Sequence, residues 1–155
     1  MKRIITALLI VLLEALAGAQ TQSLKSAFVA LERSSPFIQW NINSAKEGDV
    51  DCDGKPDTVM LGSKKNGVAV GIVWGSPAKK PEVLLFPIGS DAPDAFCSGP
   101  SSIHLSPIEC QAETGPLPGC KMVQGCKEFS VTDDECDPFN FYWNSSRKAL
   151  GWWRN

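Results

Sequence analysis

The sequence predicts a mainly β domain, an antiparallel meander of about seven or eight strands with one N-terminal helix. Its shape is expected to be half-propeller-like or a twisted open sheet. Three observations lead there. Short apolar or alternating runs recur between clusters of Gly, Pro, Asn and Ser. One early stretch alone has helical periodicity. The chain carries six cysteines, Cys52, Cys97, Cys110, Cys120, Cys126 and Cys136, an even number that suits a bridged, loop-rich fold.

The chain opens on Met1-Lys2-Arg3, an apolar run from Ile4 to Leu16 broken by Glu14, and Ala17-Gly18-Ala19. That is the layout of a secretory signal peptide cleaved before Gln20. Residues 1–19 are therefore expected to be removed, leaving 20–155 as one domain in the periplasm or the medium of a bacterium. No second long apolar run follows, so no membrane insertion of the mature chain is expected. The formal charge of −2 offers no basic footprint for nucleic acid.

Within 21–33, Leu24, Ala27, Phe28 and Leu31 share one helical face. Ser34-Ser35-Pro36 stops that helix, because the residue before proline avoids the helical region. Residues 37–43 alternate, with Ile38, Trp40 and Ile42 expected inward. Residues 58–62 form the next strand. Lys64-Lys65-Asn66-Gly67 makes a hairpin turn, since Asn-Gly supplies positive φ. In 67–74, Val68, Val70, Ile72 and Trp74 share a face, and Ala69, Gly71 and Val73 on the other are small or apolar. That is a central strand covered on both sides. Further strands are expected at 82–87, 102–105, 128–132, 139–144 and 147–153; the one at 102–105 is short, because 89–125 is dense in Pro, Ser, Gly and Cys.

The chemistry is concentrated in Asp49-Val50-Asp51-Cys52-Asp53-Gly54-Lys55-Pro56-Asp57. Carboxylates stand at loop positions one, three, five and nine, with glycine at six for the sharp turn. The expected metal ligands are the side chains of Asp49, Asp51, Asp53 and Asp57 and the carbonyl of Lys55, around a structural Ca2+. An EF-hand is excluded, because its twelfth position is Met60 here and the exit segment reads as a strand. The string GDVDCDGKPDTVMLG, residues 48–62, resembles the calcium loops of FG-GAP and VCBS repeats, the blades of integrin-like β-propellers. Gly48 and the Pro56-Asp57 pair belong to that resemblance; Cys52 departs from it, where a small residue or glycine is usual. The resemblance implies a calcium loop, not a closed ring. Propellers take four to eight blades of four strands, and this chain holds about two blades' worth.

A second acidic stretch, residues 133–137, faintly echoes the first without its glycine or spacing. It is expected to be an ordinary acidic turn, or a degenerate repeat that lends a ligand to the first site. The disulfide pairing is open. A Cys120–Cys126 bridge would close a small loop, and Cys52 would tie the calcium loop to the rest of the chain. A zinc site is disfavoured by one histidine and the absence of a CxxC half-site.

No GxSxG, HExxH or phosphate-binding glycine loop appears. His104 lies between Ile103 and Leu105 and is expected on the surface. The aromatics Phe139, Phe141, Trp143, Trp152 and Trp153 are expected mainly in the core. The leading expectation is an exported, non-enzymatic calcium-binding domain that binds a protein partner. A periplasmic inhibitor or immunity protein against a toxin or cell-wall hydrolase is a narrower form of it. A hydrolase with a site in the 89–125 loops is the rival from another class.

Overall fold

Alternation and turn chemistry build two antiparallel meanders that share one core. The computed structural model describes residues 22–65, 67–89, 94–99 and 102–154, and the expected signal peptide lies outside these described residues. Helix α1 covers 22–34. The first sheet follows in chain order: β1 (Gln39–Gly48), β2 (Asp57–Lys64), β3 (Gly67–Val73) and β4 (Glu82–Pro87). The second contains β5 (Ser102–Pro107), β8 (Lys127–Thr132), β9 (Phe139–Asn144) and β10 (Ala149–Trp153). An insertion bearing the two-residue pair β6 (Gln111–Ala112) and β7 (Gly115–Pro116) separates β5 from β8. Among the described residues the mainly β class with one N-terminal helix is therefore observed, each large sheet being one four-stranded antiparallel meander.

Period-two patterning decides which side chains meet. Val59, Leu61, Val68, Val70, Ile72 and Phe86 of the first sheet face Ile103, Phe129, Val131, Phe139 and Phe141 of the second. Each of these is worth roughly 1.5–3 kcal/mol when buried. Phe129 stacks on Phe141 at a centroid distance of 4.6 Å, and Phe86 meets Phe96 edge-on at 5.7 Å. The tight β2–β3 hairpin is observed and closes where Lys64 pairs with Gly67, but Gly67 is the first residue of β3 and does not take the positive φ expected of it.

The outer face of the first sheet carries α1. A Cβ on Gly71 would lie 2.6 Å from Trp40 Cζ3 and 2.7 Å from Leu31 Cδ2. The bare backbone at that position is what allows the indole and the helix to lie against the sheet, so β3 is buried on both faces. The outer face of the second sheet is covered by the insertion. Tyr142 packs with Ala112 and Leu117 and donates its hydroxyl to the Pro118 carbonyl at 3.2 Å. Asn144 Nδ2 donates to the same carbonyl at 2.8 Å. Asn144-Ser145-Ser146 has the letters of a glycosylation sequon, and its Asn144 amide is buried and engaged.

Two sequence expectations need correction. Ile42 does not point inward: it is 37% exposed. The β1–β2 register jumps between Asn41↔Leu61 and Lys46↔Val59, so the intervening residues of β1 bulge out of the ladder. Ser44 Oγ fills the gap by accepting the Leu61 N–H at 2.9 Å. The Cys120–Cys126 bridge does not form either. Cys120 pairs with Cys110 across the β6–β7 hairpin, Cys97 pairs with Cys136, and Cys126 reaches back to Cys52. The idea that Cys52 ties down its loop is the one that holds. Three disulfides fit an oxidising compartment. Among the described residues no helix is long and apolar enough to cross a membrane.

Candidate metal centre

The β1–β2 connection begins and ends on a paired rung, Gly48↔Asp57, which closes the acidic loop at its base. Val50 is buried in the shared core and anchors the first turn. The Asp49 carbonyl accepts the Lys127 N–H at 2.7 Å, joining the loop to the start of β8. Cys52, at φ 60°, carries the bridge to Cys126 beside that contact. The left-handed conformation accounts for glycine suiting this place in such loops. Gly54, at φ 84°, makes the second sharp bend.

Within this frame the carboxylates organise the backbone. Asp57 is fully buried. Its Oδ2 accepts the N–H groups of Val50 at 2.8 Å and Asp51 at 3.2 Å, and its Oδ1 accepts that of Gly75 at 2.7 Å. Asp49 accepts from Asp53 and Gly54, both at 3.0 Å. Asp51 Oδ1 accepts from Asp53 at 3.1 Å, and its Oδ2 receives the Lys79 ammonium. Burial pushes the Asp57 carboxyl up to about 6, against the pull of its backbone donors. A dication at the site would reverse that direction by favouring the charged form.

Asp49, Asp51 and Asp57 each offer an oxygen within 4.8 Å of the others. Oxygens held 2.3–2.6 Å from one cation lie at most about 5 Å apart. The three can therefore hold a metal ion between them. The donor set is anionic oxygen throughout, which suits a hard cation. The Lys79 ammonium, a cation supplied by the protein itself, is already drawn to it. The structure places Asp53 and Lys55 on the exposed rim of the same loop. Asp53 Oδ1 accepts the Lys55 N–H at 2.9 Å, and Asp53 is not among the three that converge. Sequence reasoning missed Lys79 and Gly75, which come from the far end of β3 and the turn after it. Nothing local to the acidic loop signals them, since Lys79 stands 28 positions from Asp51.

The 133–137 turn has a different role. Asp133 is buried and accepts four backbone N–H groups, from Cys97 at 2.6 Å, Ser98 at 3.2 Å, Glu135 at 3.1 Å and Cys136 at 2.9 Å. Burial works against its charge, but these donors outweigh it and hold the carboxyl below the usual range. The turn sits at the end of β8 opposite to Lys127. Six extended residues span about 20 Å, so it lends no ligand to the acidic loop. It clamps the Cys97 segment to the second sheet, beside the Cys97–Cys136 bridge.

His104 lies on the exposed face of β5, its Nε2 2.8 Å from Ser102 Oγ. Phe139 and Phe141 are core residues as expected, whereas Trp152 remains partly exposed at the edge. Compared with known proteins, the chain matches no family model, no curated protein and no solved structure.

Proposed function

We propose that this chain is an exported, non-enzymatic β-domain that binds Ca2+ structurally and presents its surface to a protein partner. The convergence of Asp49, Asp51 and Asp57 on one point carries the calcium part. Asp53 and the Lys55 carbonyl, on the rim of the same loop, would complete the oxygen set. Bound calcium would neutralise carboxylates that otherwise repel one another and would fix the β1–β2 loop, which is bridged to the start of β8. Metal that binds only the folded state adds roughly 2.7 kcal/mol at a hundred times its dissociation constant. The oxidised protein is therefore expected to melt several degrees higher in calcium than in chelator. Asp53→Ala should shrink that difference and leave the chelator value unchanged, because Asp53 is exposed and outside the buried network. Equal melting points with and without chelator would sink the calcium reading.

The binding role rests on apolar surface that the fold leaves open. Phe37 is 84% exposed and Leu85 55%. They line a groove with Pro36, Ile38, Lys64 and Val83 at a corner of the first sheet. Single exposed aliphatics are ordinary, but a phenylalanine this exposed beside a groove has the character of an interface anchor. The inhibitor or immunity reading is favoured by the insertion tip. Met122, 75% exposed, stands between Cys120 and Cys126, so two disulfides present it on a stiff projection. Capture from an extract of the exporting compartment tests both. One stoichiometric partner, lost with Phe37→Asp or with Met122→Asp, supports binding and tells which surface is used. Capture of nothing by the wild type would overturn the binding role.

A further inference from the structure

Lys79 sits where the calcium reading has no use for it. It belongs to the β3–β4 connection, and its ammonium donates to Asp51 Oδ2. The Asp51 side chain is 0% exposed, whereas that of Lys79 is 39% exposed. The same ammonium lies 5.1 Å from the Trp74 ring centroid and 5.0 Å from that of Trp143. Trp74 follows β3 of the first sheet, and Trp143 belongs to β9 of the second. The two indoles meet edge to face at 5.7 Å. One positive charge is thus held at once by a buried carboxylate and by aromatic faces from both sheets.

We propose that Lys79 is the resident counter-cation of the Asp49–Asp51–Asp57 cluster and competes with the incoming dication for Asp51. Metal loading then releases Lys79 from its two tryptophans. This rests on the calcium reading above. The physical case is direct. A dication held by the three carboxylates would lie close to the ammonium, well inside a Debye length, where salt screens their repulsion little. Either Lys79 leaves or it stays and weakens the metal; both lower the affinity. In return, the buried Asp51 carboxylate has a counter-charge before any metal arrives. Such tuning suits a compartment where calcium is abundant, where modules with dissociation constants near 10⁻⁴–10⁻³ M are usual.

The test is calcium titration of the full chain, wild type against Lys79→Met and Lys79→Gln, followed by calorimetry and tryptophan emission. The Gln variant keeps a hydrogen-bond donor for Asp51, so it preserves the fold if the Met variant does not. Both are expected to bind calcium at least tenfold more tightly than the wild type. Wild-type emission is expected to shift on loading, with the shift largely absent in both variants and in Trp143→Phe. Affinities that stay equal or fall in the variants would overturn the competition while leaving the calcium reading intact. So would a wild-type emission that does not change at saturation. No calcium uptake by any of the proteins would instead remove the calcium reading, and this proposal with it.

Discussion

Replacing Asp57 with alanine is expected to cost about 3–5 kcal/mol of folding stability in chelator, and more in calcium, where a metal ligand is lost as well. The loss in chelator comes from the backbone and not the metal. Asp57 takes the N–H groups of Val50, Asp51 and Gly75, and the residue is fully buried. Alanine leaves those donors facing a void. Each unmet buried donor costs about 1–3 kcal/mol, and partial relaxation of the loop keeps the total below the sum. Asp57→Asn should fall between the two, since its single carbonyl oxygen serves one side of the network and its amide opposes a donor on the other. Urea unfolding of the oxidised proteins reads the difference. A loss confined to calcium buffer would mean that Asp57 acts mainly as a metal ligand.

Removing the Cys52–Cys126 bridge by a double alanine substitution is expected to cost about 4–4.5 kcal/mol, by the loop-closure estimate. That bridge joins residues 74 positions apart, whereas Cys110 and Cys120 are 10 apart. The same estimate gives about 3 kcal/mol for the shorter one. A glycine at 52 in place of the alanine should recover about 1 kcal/mol, because the backbone there stands at φ 60°. Denaturation of the three variants ranks them. If the Cys110–Cys120 variant proved the least stable, chain closure would not be what these bridges contribute.

Local chemistry was legible in the sequence wherever it was self-contained. The helix, the β2–β3 hairpin and the doubly covered β3 all follow from periodicity and turn residues a few positions apart. So does the acidic loop, whose spacing alone brought out Asp49, Asp51 and Asp57. What stayed hidden depended on partners far along the chain. Ile42 was misplaced because the bulge in β1 is set by its pairing with β2. The burial of Tyr142 and Asn144 was not legible because the insertion that covers them folds back from Pro118 and Gly119. The 133–137 stretch read as an ordinary acidic turn with at most a ligand to lend, and nothing in it showed that Asp133 holds the Cys97 segment, 35 and 36 positions away. A buried carboxylate that caps turns and one that holds a cation have the same letters.

The two-meander topology has a consequence for biogenesis. Strands β1 to β4 are contiguous, so the first sheet can assemble hairpin by hairpin as the chain emerges, N-terminus first. It contains one cysteine, Cys52, whose partner is made 74 positions later. The acidic loop is therefore built around a thiol whose partner arrives with the segment leading into β8. Cys110 and Cys120, by contrast, close within a single hairpin. Trapping free thiols during oxidation would accordingly time the event: the disappearance of reduced Cys52 marks when the acidic loop is tied to the segment that starts β8.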